Sequence, residues 1–197
     1  MGRAGVSMPA LVIRHARTDW NDLGLWQGAE VDRPLTADGE RDARNLAGEV
    51  QRLFASKPVV FSSPSRRALA TARLLIPGCL PVVLPGLQEL SGGDISGLDY
   101  AKVRARHPDF ADDWWSGKLA TPPGGESVAE IVERVRQALV RCDEASSPWL
   151  AVTHLGVINA VEEIHKVEDS SLVANLQGVL RTDGVWTRWK GSNGHSS

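Results

Sequence analysis

An arginine and a histidine leave an apolar run in the segment Leu11-Val12-Ile13-Arg14-His15-Ala16-Arg17-Thr18-Asp19-Trp20-Asn21, and a second histidine is delivered the same way by Trp149-Leu150-Ala151-Val152-Thr153-His154. Reactive side chains of α/β enzymes gather where strands give way to loops, so two histidines so delivered point to one site. A second arginine source follows Val59-Val60-Phe61 in Ser62-Ser63-Pro64-Ser65-Arg66-Arg67. Guanidinium groups grip phosphate through paired, charge-assisted hydrogen bonds. Arg14 with Arg66 or Arg67 therefore makes an anion clamp, with His15 facing the phosphorus; spacing alone does not choose between the two arginines. Glu89, in the glycine-rich stretch Leu87-Gln88-Glu89-Leu90-Ser91-Gly92-Gly93, is placed to donate a proton, its pKa raised by the like charge of a bound phosphate.

The elements that carry these residues read as an alternation of strands and helices. Apolar runs at Ala10–Ile13, Val59–Phe61, Pro81–Leu84, Leu150–Val152 and Val185–Trp189 are expected strands. A helix follows the N-cap Thr36, with Ala43, Leu46, Ala47, Val50, Leu53 and Phe54 as its apolar stripe and Asp38 and Glu40 near its start. Another opens on the capping box Ser127-Val128-Ala129-Glu130 and buries Val128, Ile131, Val132, Val135, Leu139 and Cys142. The pattern predicts an α/β three-layer sandwich, a mostly parallel central sheet with helices on both faces, in a single domain over 9–190 between flexible termini at 1–8 and 191–197.

Composition narrows the partners. With 197 residues, a net charge of −2 and a pI near 6.2, the chain makes no global electrostatic case for nucleic acid or anionic membrane, and a small ligand is expected. No apolar run approaches the roughly 18 residues of a membrane span, and no secretion signal is evident, so a cytoplasmic location is expected. Cys79 and Cys142 follow no metal-ligand spacing and fit buried apolar positions in a reducing compartment. His107, near Lys102, Arg104 and Arg106, reads as part of a solvated basic face, His165 has no partner motif, and His195 reads as solvated tail. Trp20, Trp149, Trp186 and Trp189 are expected to fill core or sheet faces, and Trp114-Trp115 to pack, with a ring stacked on a substrate as the alternative.

The order of these motifs resembles the histidine phosphatase superfamily, also called the phosphoglycerate mutase-like family. Arg14-His15-Ala16 is similar to its Arg-His-Gly signature, Trp20-Asn21 to the Trp-Asn that follows, and Pro34-Leu35-Thr36 to its leucine-threonine turn. Ser62-Ser63 with Arg67-Ala68 and Thr71-Ala72 resembles the second-arginine motif, Leu87-Gln88-Glu89 the acid loop, Pro123-Gly124-Gly125-Glu126-Ser127 the Gly-Gly-Glu-Ser helix start, and Val152-Thr153-His154 the second-histidine motif. The resemblance covers residues 10 to 160 and favours Arg67 over Arg66. It implies a metal-independent phosphatase with no cofactor: His15 attacks a phosphate monoester, Arg14, Arg67 and His154 neutralise the phosphoryl oxygens, and Glu89 protonates the leaving alkoxide. Asn21, Gln27, Arg17 and Leu155 are the further substrate-binding candidates. The implied partner is a small phosphorylated metabolite, α-ribazole phosphate or a broad set; oligomeric state is left open between monomer and homodimer. A phosphoglycerate mutase and a non-catalytic phosphate-binding module are the alternatives. The latter rests on three departures: Ala16 where Gly is usual, Arg17 where Glu is common, and Leu155 where Gly follows the second histidine.

Overall fold

The computed structural model describes residues 8–169 and 171–191. In chain order they form β1 (Ala10–Arg14), α1 (Asp19–Asp22), α2 (Ala37–Arg52), β2 (Val59–Ser62), α3 (Arg66–Leu75), β3 (Val82–Val83), α4 (Tyr100–Arg106), α5 (Pro108–Trp115), α6 (Val128–Asp143), β4 (Trp149–Thr153), α7 (Leu155–His165), β5 (Gly178–Thr182) and β6 (Val185–Trp189). Six strands make one sheet in the order β3-β2-β4-β1-β5-β6. The first four are parallel, and β5 and β6 add an antiparallel hairpin to the β1 edge.

Strands buried on both faces must be apolar at every position, which is why β1 and β4 read as unbroken hydrophobic runs. Ala10 and Val12 pack with Ile131, Val135 and Leu139 of α6 and Val157, Ile158 and Val161 of α7. Leu11 and Ile13 face the opposite layer, against Leu46 and Val50 of α2 and Ala68, Ala72 and Leu75 of α3. Burying such a side chain contributes about 1.5–3 kcal/mol each, so the alternation along β1 alone holds both helical layers in place. Both expected caps are present: Thr36 Oγ1 accepts from Gly39 N at 3.0 Å, and Ser127 and Glu130 close a reciprocal box.

Two expectations change. The hairpin strand β5 was not among the expected strands, and the third strand shrinks from Pro81–Leu84 to the exposed pair Val82–Val83. Trp149, Trp186 and Trp189 are buried, whereas Trp20 is half-buried beneath the Arg33 guanidinium, 6.0 Å from its ring, because it sits on the short α1 outside both layers. Lys102, Arg104 and Arg106 are exposed as expected, while His165 stacks on Trp186 with ring centroids 5.1 Å apart. Of the stretches expected to be flexible, only Met8 and Gly191 are described; His195 lies outside the described residues. Met8 O accepts two hydrogen bonds from the Arg181 guanidinium. Among the described residues no helix is long and apolar enough to cross a membrane.

Candidate active site

Parallel register brings the chemistry to one level. Arg14 pairs with Thr153 across β1 and β4, and Ser62 with Val152 across β2 and β4, so His15, Ser63 and His154 each follow the last rungs of adjacent strands. The two imidazole rings meet edge to face, 5.1 Å between centroids.

His15 is 3% exposed, and its Nδ1 lies 2.7 Å from Ala16 O. A carbonyl only accepts, so Nδ1 carries the proton and Nε2 keeps its lone pair. Burial, and then the charges of Arg67 and Arg14, hold the His15 pKa well below its ordinary 6.5. These shifts favour the neutral imidazole, the form with a lone pair to give. Ala16 is fully buried, its N–H bonded to Thr71 Oγ1 at 3.0 Å, and it is not among the residues at positive φ, so the methyl is accommodated without backbone strain.

Of the two arginines opening α3, Arg67 is 1% exposed and Arg66 faces solvent. Arg67 Nε donates to His15 Nε2 at 3.3 Å, and its Nη1 to Val31 O at 2.7 Å. Burial lowers its pKa to about 10, so it stays charged at neutral pH. Asp32 accepts the Arg66 N–H at 2.9 Å and lies 3.6 Å from Arg67 Nη1, fastening the loop after α1 to the start of α3. Arg14 Nη1 donates to Val173 O at 2.7 Å. His154 Nε2 lies 2.8 Å from Ser63 Oγ and 3.3 Å from Ser65 Oγ; with a hydroxyl donating to Nε2, the proton sits on Nδ1. Burial depresses this imidazole's pKa as well.

Glu89 Oε1 accepts from Leu90 N at 2.9 Å and from Gly156 N, in the first turn of α7, at 3.1 Å. Burial raises its pKa against the opposing pull of those N–H groups and of Arg67 and Arg14. The cause is desolvation already present in the protein, where the sequence argument invoked a bound phosphate's like charge. A carboxyl whose pKa is raised by burial is suited to general acid work.

Asn21 and Gln27 line a cavity of about 30 Å³ with Arg14, His15, Glu89 and Leu155. Asn21 Oδ1 accepts from Thr18 N and Thr18 Oγ1, both at 3.0 Å, which turns its amide nitrogen outward as a donor. Gln27 Oε1 lies 3.1 Å from Thr18 Oγ1 and shares that hydroxyl's one proton with Asn21 Oδ1. Among the described residues, Arg14 Nε, Gln27 Nε2 and His154 Nδ1 are buried nitrogens with no hydrogen-bond partner. An unmade buried hydrogen bond costs about 1–3 kcal/mol, so three at one place are what an anion acceptor would repair. Arg17 stands apart: its guanidinium bonds Asp42 at 3.1 Å and lies 3.7 Å from Asp22, and it does not line the cavity. Two carboxylates hold it on the α2 side, correcting its expected place among the substrate-binding residues.

Sequence reasoning missed the strap between α7 and β5. Asn175 Nδ2 donates to His15 O at 2.9 Å and to Asn21 Oδ1 at 3.3 Å. Leu176 adopts φ 62°, which costs a non-glycine residue about 1–2 kcal/mol. Two main-chain bonds offset it, Arg14 N to Gln177 O at 2.8 Å and Leu176 N to Arg14 O at 3.2 Å. The strap itself is anchored by the buried Arg188, which donates to Ser171 O and Asp169 O and pairs with Glu162 at 2.6 Å. Also missed was Trp26, which packs against Trp114 and Phe110 at 4.7 and 5.4 Å between centroids to roof the cavity. Trp114 does pack as expected, and a single asparagine or tryptophan carries no local signal of such long-range roles.

Comparison with known proteins agrees with this geometry. The family model described as "Histidine phosphatase superfamily (branch 1)" matches residues 10–171. A protein of Hydrogenobacter thermophilus is 35% identical over 156 residues, 76% of this chain and 74% of its own. The Arabidopsis thaliana protein named metal-independent phosphoserine phosphatase is 30% identical over 159 residues, 77% of this chain and 66% of its own. A crystal structure of phosphoglycerate mutase from Thermus thermophilus superposes with a TM-score of 0.70 at 34% identity, covering 88% of this chain and 92% of that one. The chain belongs to branch 1 of the histidine phosphatase superfamily and is a phosphatase.

Proposed function

We propose that the enzyme hydrolyses small-molecule phosphate monoesters without a metal, through a phosphohistidine on His15. The reading rests on one observation above others: an imidazole whose unprotonated Nε2 accepts only a long hydrogen bond from Arg67 lies beside the Arg14 and Arg67 guanidiniums and three unpartnered buried nitrogens. His15 Nε2 attacks phosphorus in line as the ester P–O bond breaks. The developing charge on the equatorial oxygens is met by Arg14, Arg67, Gln27, Asn21 and His154 Nδ1–H. Glu89 gives its proton to the departing alkoxide and, now a carboxylate, takes one from the water that attacks the phosphohistidine. Inorganic phosphate leaves and Glu89 is again protonated.

The partner in this reading is a soluble phosphorylated metabolite, with α-ribazole phosphate one member of the panel to test. The non-catalytic alternative loses its motive, since Ala16 is unstrained and the departures at Arg17 and Leu155 leave both histidines, both arginines and Glu89 in place. The experiment is phosphate release from 4-nitrophenyl phosphate and natural monoesters in EDTA, wild type against His15→Ala, with acid-labile phosphate trapped on the protein. Release and trapping that vanish in a folded His15→Ala protein are expected; undiminished release from that variant would sink the proposal. Phosphoglycerate isomerisation primed by bisphosphoglycerate would favour the mutase instead.

A further inference from the structure

Besides Arg14, His15, Asn21, Gln27 and Glu89, the small cavity is lined by Leu25, Trp26, Tyr100, Trp114 and Leu155. The wall is built from packed rings: Trp26 against Trp114 at 4.7 Å, and Tyr100 edge-on to Trp115 at 5.5 Å. The rings of Trp26, Trp114 and Tyr100 and the groups proposed to react line one and the same cavity, so the alcohol of an ester whose phosphorus sits at His15, beside Glu89, is set against them.

A second, larger cavity of about 590 Å³ also reaches Glu89. Its one guanidinium, Arg134, is engaged: it makes two bonds to the Glu126 carboxylate, at 2.5 and 2.7 Å, and two to the carbonyls of Gly86 and Gln88, each at 2.9 Å. The remaining ionisable groups lining it are the acids Glu89, Glu126 and Glu130. Once Arg14 and Arg67 hold the phosphoryl group, the described residues lining the two cavities offer no further cation. A carboxylate on the alcohol would be stripped of water against rings or brought among acids, both unfavourable.

We infer, resting on the phosphatase reading above, that the enzyme selects phosphate monoesters of uncharged alcohols with an apolar or aromatic body and rejects those whose alcohol carries a carboxylate. Phosphoserine and phosphoglycerate, present in the names of its relatives, fall in the rejected class.

The test compares kcat/KM for 2-phenylethyl phosphate, O-phosphoserine and 3-phosphoglycerate, all esters of alkyl alcohols, so that leaving-group reactivity does not set the order. The phenylethyl ester is expected to lead both acids by about tenfold or more, the scale of discrimination in an apolar pocket. Tyr100 is partly exposed, so Tyr100→Lys sets an ammonium on the wall with little packing lost, and should narrow the gap by about fivefold, the scale of a partly exposed ion pair. Phosphoserine turned over within about threefold of the phenylethyl ester, with both rates lost in His15→Ala, overturns the selectivity and leaves the phosphatase reading standing. An unchanged ratio in Tyr100→Lys overturns the assignment of this wall to the alcohol. No His15-dependent release from any of the three or from 4-nitrophenyl phosphate overturns both readings.

Discussion

Gly156 and Glu89 are joined by a hydrogen bond that a side chain at position 156 would block: the Gly156 N–H donates to Glu89 Oε1 at 3.1 Å, and a Cβ built on Gly156 would lie 2.6 Å from that same oxygen. The Leu90 side chain closes on the same spot. Glu89, the proposed general acid, is therefore held against the start of α7 by a glycine, at a helix end whose free N–H groups favour an acceptor.

Gly156→Ala should push the Glu89 carboxyl away from this seat. Esters of alkyl alcohols should lose about tenfold or more in kcat/KM as the proton donor is misplaced, while 4-nitrophenyl phosphate, whose leaving group needs no proton, loses less. Steady-state kinetics on the two esters decide it. Equal losses on both would mean that Gly156 supports the fold and not the acid.

Burial raises the Glu89 pKa and lowers that of His15, and the two shifts set the pH profile. The active form has His15 neutral and Glu89 protonated. Because the His15 pKa lies well below 6.5, loss of the nucleophile falls far on the acid side; the alkaline limb belongs to Glu89 giving up its proton as pH rises through its raised pKa. In Glu89→Gln that limb should vanish, with kcat/KM for alkyl esters down by about 10²–10⁴-fold. Dividing wild-type by variant rates at each pH cancels the ionisation of the substrate. A ratio that stays flat with pH would take Glu89 out of the acid role.

Asn175→Ala removes both donors that tie the strap to His15 O and Asn21. The loss of one such bond corresponds to about tenfold, expected mainly in kcat because the nucleophile, not the substrate, is loosened. Asn175→Asp keeps the shape and loses the donors, so it should be no better than Ala. Near-wild-type kcat in the Asp variant would reduce Asn175 to a packing role.

Arg17→Ala breaks a half-exposed pair with Asp42 and touches nothing in the cavity. Pairs of this kind contribute about 0–1 kcal/mol, so stability should drop by no more than that and kcat/KM should change by less than about threefold. A larger fall confined to KM would return Arg17 to the substrate-binding set.

Much of the framework is legible locally. Runs at Ala10–Ile13, Val59–Phe61 and Leu150–Val152 are strands to within a residue at either end, and Val185–Trp189 matches throughout. A strand buried on both faces is apolar along its whole length, and caps such as Thr36 and Ser127 are written within four residues. β5 escaped because Gly178 and Arg181 dilute its apolar content, although the turn that makes it a hairpin has a local signature: Asp183 and Gly184, with φ 51° and 81°, form the two-residue turn of positive φ that Asp-Gly favours.

By itself, then, the sequence determined that two histidines and an arginine stand at the ends of buried strands, and that a mostly parallel α/β sheet carries them, because burial pattern and capping are short-range properties. Tertiary structure alone decided which atoms are free to react. His15 Nε2 keeps its lone pair because Nδ1 carries the proton toward Ala16 O, and Arg17 is drawn away by Asp42, while the inward turn of Arg67, already favoured by the resemblance, sets its Nε 3.3 Å from His15 Nε2. Asn175 reaches His15 across 160 positions of chain, and Trp26 becomes the roof only when α5 folds over it. Such contacts depend on where the backbone returns in space, which no window of neighbouring residues records.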